Sequence, residues 1–169
     1  MIAIVDYGVG NLFSLKSSFA AIGADAVVTG EAEVLRRADR ILLPGVGAFG
    51  DAAAKLRTSG LDRVVIEEAN AGKPLLGICL GMQLLFERSL EYGVHAGLSL
   101  IPGEVRPIAE VLPAGLKIPH IGWNALRSPG KQPPSSAISQ RATACILCTP
   151  TTPQAARTAS SPPPNTARS

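Results

Sequence analysis

Short apolar runs alternate with longer amphipathic stretches through the first half of the chain. Residues 2–5, 26–29 and 40–43 are such runs, and each is typical of a strand buried on both faces of a sheet. A helix that ends at Gly23 is predicted from apolar side chains at helical spacing, at Leu12, Leu15, Phe19 and Ile22. Further helices are predicted over 31–38, 51–57 and 61–71. The alternation predicts an α/β fold, a doubly wound and mostly parallel sheet with helices on both faces.

The fourth apolar run starts at Lys73-Pro74 and leads to Cys79, after which a helix is predicted through Phe86. Gly77 and Gly81 flank the cysteine, each two residues away. Such small neighbours allow the sharp strand-to-helix bend of a nucleophile elbow, which lifts the thiol clear of the sheet. Amides at a helix N-terminus favour the thiolate over the thiol. Cys79 is therefore the predicted nucleophile, and the alternative is a buried structural cysteine.

Glycines also follow the third predicted strand, in the sequence Pro44-Gly45-Val46-Gly47. In parallel sheets chemistry collects at the carboxyl ends of strands, and Gly8, Gly45 and Cys79 all follow strands. Beside a cysteine nucleophile, two amides of a glycine-framed loop stabilise the oxyanion of a tetrahedral intermediate. The alternative is an ordinary glycine turn. The glycines after the first strand imitate a dinucleotide-binding loop, but Phe13 replaces its third glycine and disfavours nucleotide binding.

Polar residues elsewhere are candidates for the same site. Gln83 lies one helical turn after Cys79, where it either holds a polar substrate or faces solvent. His95 follows a turn-like stretch and is assigned to the surface. A cysteine nucleophile needs a histidine within hydrogen-bond reach, but spacing alone does not place His120 beside Cys79.

Composition narrows the classes of function. The chain has 169 residues, of which 46% are hydrophobic, and this is enough for one domain with a core. The net charge of +3 comes from scattered basic residues without the clustering of a nucleic-acid surface, so no nucleic-acid partner is expected. No apolar run reaches the ~20 residues that span a membrane, and residues 1–6 lack the pattern of a signal peptide. Three cysteines do not make a disulfide framework, so a reducing cytoplasm is expected.

The character of the chain changes at about Ser128. Before it, short strands are predicted over 98–101 and 105–108, around a turn at Pro102-Gly103. Residues 128–169 are rich in Pro, Ser, Thr and Ala, with no acidic or aromatic residue. Such a segment buries too little apolar surface to offset its chain entropy, so a folded domain is predicted over 1–127 and disorder over 128–169. The lone C-x-x-C at 145–148 lacks a second pair of ligands, and neither a metal nor another cofactor is expected.

Three motifs in order carry a family resemblance: Pro44-Gly45-Val46-Gly47, the stretch from Gly77 to Gln83, and Ile118 to Asn124. Together with Asp6 to Leu12, they resemble the glutaminase subunits of imidazole glycerol phosphate synthase, within the class I (triad) glutamine amidotransferases. The resemblance covers about 1–127. It implies that a cysteine attacks the side-chain amide of glutamine, forms a glutamyl thioester and releases ammonia. Ammonia would pass to a separate (β/α)8 cyclase subunit in a heterodimer, which makes imidazole glycerol phosphate in histidine biosynthesis.

The resemblance also implies a set of site residues around the nucleophile Cys79. Backbone amides would form the oxyanion hole, at Gly45, Val46 and Leu80. Side chains would hold the glutamine head group, at Gln83 and Glu91. The partner interface and the rim of the site would include Asn11, His120, Trp123 and Asn124.

One departure separates the chain from that family. The family completes its triad with a His-Pro-Glu stretch near the C-terminus, whereas here no histidine follows His120 and no glutamate follows Glu110. The change near Ser128 indicates an altered reading frame, and the chain as written is expected to have little or no glutaminase activity. Two alternatives are another cysteine hydrolase of similar fold and a non-catalytic subunit that only binds the cyclase.

Overall fold

The computed structural model describes residues 1–107, Glu110 and the backbone of 142–145. Its elements in chain order are β1 Ile2–Val5, α1 Leu12–Ala21, β2 Ala26–Thr29, α2 Ala32–Arg37, β3 Arg40–Leu43, α3 Phe49–Thr58, α4 Leu61–Asn70, β4 Leu75–Ile78, α5 Leu80–Gln83, β5 Phe86–Ser89, β6 His95–Ala96, β7 Ile101–Val105 and β8 Ala142–Cys145. The first three strands have the predicted bounds. Each is a short run of mainly apolar and β-branched residues between turns, which is why pattern alone locates it.

Five of the strands form a parallel sheet in the order β2-β1-β3-β4-β8. The chain steps from β1 to β2 in one direction and from β2 to β3 and on to β4 in the other. Because parallel crossovers are right-handed, this reversal puts α1 on one face of the sheet and α2, α3 and α4 on the other. The predicted fold class, a parallel α/β sheet with helices on both faces, is confirmed.

The two faces are covered unequally. Helices α2 to α5 contribute to the main core, with fully buried side chains such as Phe49 and Val65 packed over Val5 and Leu43. The other face carries α1, in which no residue is fully buried. The prediction that Ile22 belongs to the apolar stripe of α1 is wrong. It is 75% exposed, because the helix ends at Ala21 and Ile22 serves as its C-cap.

The chain after Cys79 departs from prediction. The helix expected through Phe86 ends at Gln83, because Phe86–Ser89 (β5) joins a second sheet in the order β6-β5-β7. In this sheet β5 is antiparallel to β6 and parallel to β7. The turn predicted at Pro102-Gly103 is wrong, since both residues lie inside β7. Gly103 has φ 120°, beside an irregularity in the β5–β7 register.

One strand lies within the segment predicted to be disordered. Ala142–Cys145 (β8) pairs in parallel with β4, and the register joins Leu75 to Ala142 and Ile78 to Cys145. These four residues contain no proline, and they satisfy backbone groups along the outer edge of β4. The rest of the segment predicted to be disordered lies outside the described residues. Across the ranges that the structure describes, no helix is long and apolar enough to cross a membrane.

Candidate active site

Cys79 lies at the carboxyl end of β4, an interior strand, at the junction with α5. Its backbone has φ 55° and ψ −120°, a conformation that residues other than glycine rarely adopt. Such strain costs about 1–3 kcal/mol and persists only where the surrounding structure imposes it. The carbonyl oxygen of Cys79 accepts hydrogen bonds from the amides of Met82 at 3.0 Å and Gln83 at 3.2 Å. The side chain is a partly buried thiol, outside any disulfide.

The flanking glycines are required by close packing of backbone on backbone. A Cβ added to Gly77 would lie 2.6 Å from the Cα of Met82. A Cβ added to Gly81 would lie 2.0 Å from the carbonyl oxygen of Leu43, at the end of the neighbouring strand. Both distances are too short for any side chain. The sharp strand-to-helix turn predicted from the glycine spacing is therefore present, and it is pressed against β3.

The loop after β3 reaches the same place. Leu43 is paired with Gly77 in the sheet, so the segments that follow β3 and β4 leave its carboxyl edge side by side. Gly45 is buried, and a Cβ on it would lie 2.5 Å from the backbone nitrogen of Gly81. Leu80 is 3% exposed, whereas the side chain of Val46 is 52% exposed. The structure thus brings the Gly45 backbone against the residues that directly follow Cys79.

Two polar residues proposed to hold substrate lie on the segment that follows the cysteine. Gln83 is 4% exposed. Its alternative interpretation as a solvent-facing helix residue is wrong, because α5 packs its whole length into the core. Glu91 lies in the turn between β5 and β6 and is partly buried, and its backbone amide donates to the Ser89 hydroxyl at 3.2 Å.

The β5–β6 hairpin that carries Glu91 is attached to α3 at two points. The Arg57 guanidinium donates to the carbonyl oxygens of Ala96 at 2.5 Å and Gly97 at 3.4 Å. At the first turn of α3, a Cβ on Gly50 would lie 2.7 Å from Cε1 of His95, so the imidazole packs directly on that backbone. His95 is half-buried rather than a plain surface residue. No local sequence signal marks these contacts, since they join residues about 40 positions apart.

The predicted interface residues separate into two groups. Asn11 is exposed and caps α1, because its side-chain oxygen accepts a hydrogen bond from the amide of Ser14 at 3.3 Å. The other three, His120, Trp123 and Asn124, lie outside the described residues. In the part of the chain that is described, no cluster of His, Cys, Asp and Glu side chains could hold a metal ion.

This arrangement, a strained cysteine at a strand-to-helix turn with a glycine loop packed beside it, suits nucleophilic attack on an acyl group. Comparison with known families agrees with that chemistry. Residues 3–128 match the model of the glutamine amidotransferase class-I family. The chain belongs to this family.

Individual relatives are more specific. The chain is 50% identical over 134 residues to the imidazole glycerol phosphate synthase subunit HisH of Wolinella succinogenes, a match that covers 79% of this chain and 65% of that protein. It is 54% identical over 127 residues to the HisH subunit of Methanothermobacter thermautotrophicus, covering 75% of this chain and 61% of that one. The chain therefore spans less than two thirds of the length of these relatives.

A solved structure shares the fold. It is described as the crystal structure of a glutamine amidotransferase, and it superimposes with a TM-score of 0.57 at 20% sequence identity. The likeness covers 70% of this chain and 61% of that one. At this identity it supports the architecture alone, the parallel sheet with its flanking helices.

Proposed function

We propose that residues 1–127 form a glutaminase domain that supplies ammonia to a (β/α)8 cyclase subunit in histidine biosynthesis. The observation that carries the proposal is the contact between the Cys79 turn and Gly45, which puts a nucleophile beside a loop of backbone amides. Membership of the glutamine amidotransferase class-I family supports glutamine as the substrate. The HisH relatives support imidazole glycerol phosphate synthase as the assembly.

The chemistry is acyl transfer to sulfur. The Cys79 thiolate adds to the side-chain carbonyl carbon of glutamine, and the amides of Gly45, Val46 and Leu80 stabilise the oxyanion that forms. The carbon–nitrogen bond then breaks, the nitrogen takes a proton and leaves as ammonia, and a glutamyl thioester remains. Water hydrolyses the thioester to glutamate and the free thiol. The sum is glutamine plus water to glutamate plus ammonia.

Recognition of glutamine falls to the segment after the nucleophile. Gln83 is buried within one helical turn of Cys79, and Glu91 lies in the turn of the next hairpin. A side-chain amide and a carboxylate match the ammonium and carboxylate groups of an amino acid by hydrogen bonding and charge. We assign the partner contact to Asn11, His120, Trp123 and Asn124, and the protein itself to the cytoplasm, where the thiol stays reduced.

The proposed site has no assigned catalytic base for Cys79. No histidine follows His120 and no glutamate follows Glu110 in the 169 residues, so the family's His-Pro-Glu stretch is not among them. We propose that this chain turns glutamine over far more slowly than a complete triad does, because removal of triad members typically costs several orders of magnitude in rate. Capture of an electrophile by the cysteine is the step that remains testable in this chain.

The test is covalent labelling of the full chain with a glutamine analogue that carries a chloromethyl ketone in place of the amide. We expect one label per chain, located at Cys79 by peptide mass spectrometry, and protection by glutamine but not by asparagine. A Cys145→Ser/Cys148→Ser double variant is the matched control. It leaves Cys79 as the remaining cysteine and should label like the parent chain.

Three results would contradict what we propose. Labelling spread over all three cysteines, without protection by glutamine, would show that Cys79 is not a glutamine-directed nucleophile. Protection by other amides but not by glutamine would favour a different cysteine hydrolase of similar fold. Ammonia release at the rate of a complete enzyme, with the cyclase present, would refute the proposed impairment.

A further inference from the structure

Tyr7 buries a hydroxyl group beside the loop that follows β3. The residue lies two positions after β1 and is 6% exposed. Its hydroxyl donates a hydrogen bond of 2.7 Å to the carbonyl oxygen of Pro44, a contact across 37 positions of sequence. Strands β1 and β3 are neighbours in the sheet, so the segments that follow them meet at its carboxyl edge.

That bond acts on the peptide unit that joins Pro44 to Gly45. The carbonyl of Pro44 and the amide of Gly45 belong to one planar trans unit, in which C=O and N–H point in opposite directions. A donor fixed on the carbonyl oxygen therefore fixes the direction of the Gly45 N–H. Without it, a glycine-rich loop has several accessible backbone conformations, and the orientation of this peptide unit is less restricted.

Packing holds the same unit from two further sides. Gly10 has φ 127°, and a Cβ on it would lie 3.0 Å from Cβ of Pro44. Gly45 is also in close contact with the backbone of Leu80 and Gly81. These contacts restrict the position of the unit. Among the hydrogen bonds described for this loop, only that of the Tyr7 hydroxyl has the Pro44 carbonyl oxygen as its acceptor.

We infer that Tyr7 is a positioning residue for the oxyanion hole, holding the Pro44–Gly45 peptide so that the Gly45 amide faces the oxygen of the carbonyl group attacked by Cys79. This inference rests on the proposed function. Burial raises the pKa of the Tyr7 phenol well above its ordinary value. The hydroxyl therefore remains a donor through the neutral and alkaline range.

The test compares two reactions of Cys79 in the full chain with Tyr7→Phe. One is acylation by a 4-nitrophenyl γ-ester of glutamate, in which thiolate adds to the carbonyl, nitrophenolate leaves and a glutamyl thioester forms. This step passes through an oxyanion, and its leaving group needs no proton. The other is alkylation by iodoacetamide, in which thiolate displaces iodide without forming an oxyanion. Tyr92→Phe is the matched control, because Tyr92 is 96% exposed.

Loss of one oxyanion donor lowers rates by about 10²–10³-fold. Tyr7 orients a donor to the oxyanion but does not itself contact the oxyanion. We therefore expect the maximal acylation rate to fall ~10-fold in Tyr7→Phe. The ester concentration at half-maximal rate and the iodoacetamide rate should stay within about twofold of the parent, and Tyr92→Phe should match the parent in both reactions.

Three outcomes overturn the inference. Unchanged acylation in a folded Tyr7→Phe chain excludes a role in the oxyanion hole. Equal losses with ester and iodoacetamide show a general structural role. A parent chain that reacts with iodoacetamide but never with the ester refutes the proposed function, and the inference with it. If Tyr7→Phe does not fold, Tyr7→Met removes the hydroxyl and fills its place with a flexible apolar side chain. Only a loss selective for the ester then supports the inference.

Discussion

The two halves of the candidate site are built by different kinds of contact. Around Cys79, backbone packs on backbone, and Gly45, Gly77 and Gly81 leave no room for a Cβ. Around Glu91, a hairpin is attached to α3 by the side chains of Arg57 and His95. The nucleophile half thus tolerates no side chain at these three glycines, whereas the Glu91 half depends on contacts that substitution removes one at a time.

The largest expected effect comes from adding a side chain at a glycine of the nucleophile half. Gly81→Ala would place a Cβ 2.0 Å from the carbonyl oxygen of Leu43, so β3 and β4 must separate. We expect the free energy of unfolding to fall by about 3 kcal/mol, as for severe overpacking, and labelling of Cys79 to be lost. Urea denaturation followed by circular dichroism measures the first.

Gly60→Ala is the control for that change. Gly60 has φ 72° and no neighbour within 4 Å of an added Cβ, so its variant reports a backbone penalty of about 1 kcal/mol, which Gly81, without a positive φ, does not incur. If the two variants lose similar stability, close packing at the nucleophile is not what requires glycine there.

A smaller effect is expected from loosening the Glu91 half. Arg57→Ala removes the donor to the carbonyl oxygens of Ala96 and Gly97. A hydrogen bond of this kind contributes about 1 kcal/mol, so the concentration of chloromethyl ketone analogue at half-maximal labelling should rise ~5-fold. The reaction with iodoacetamide should not change, because the nucleophile half is intact.

Arg63→Ala, at an exposed position on α4, is the matched control for loss of a guanidinium. A drop in the iodoacetamide rate of Arg57→Ala alone would show that the hairpin also supports the cysteine. The two halves would then be one structural unit.

The smallest effect is expected outside both halves. Asn11→Ala removes the N-cap of α1, and we expect ~0.5–1 kcal/mol less stability with unchanged labelling of Cys79. Thermal denaturation and the labelling rate report the two quantities separately. Asn11→Asp keeps the capping oxygen, so weaker binding of this variant to the proposed cyclase partner would isolate an interface role from the cap. Slower labelling in Asn11→Ala would mean that α1 helps to hold the site.

The difference between local and long-range contacts also explains which elements the sequence predicts. Strands β1, β2 and β3 are mainly apolar runs between turns. The turn at Cys79 is marked by glycines at fixed spacing, so local pattern identifies the strands and the turn. Strands β5 and β6 contain charged or isolated polar residues and exist through pairing with distant segments, which no local period reveals.

Side-chain contacts over long sequence separations are likewise invisible to pattern. In the sequence, Tyr7 is an ordinary turn residue and Arg57 an ordinary charged residue on a helix. Only the fold shows that each donates a hydrogen bond to a distant carbonyl oxygen. Gln83 could be placed near Cys79 from helical spacing, but its burial depends on where α5 ends. The proposed role of Glu91 follows from the family resemblance alone, because no neighbouring residue in the sequence marks a substrate ligand.

The contact between Gly45 and Gly81 also limits how this chain can be engineered. A combinatorial library that randomises both the loop after β3 and the turn around Cys79 would consist largely of unfolded members. Any side chain at Gly45, Gly77 or Gly81 collides with backbone. Val46 and Ala48 are exposed within the same loop and accept variation without such a collision. Directed evolution toward a new acyl substrate should therefore diversify these two positions and hold the glycines fixed.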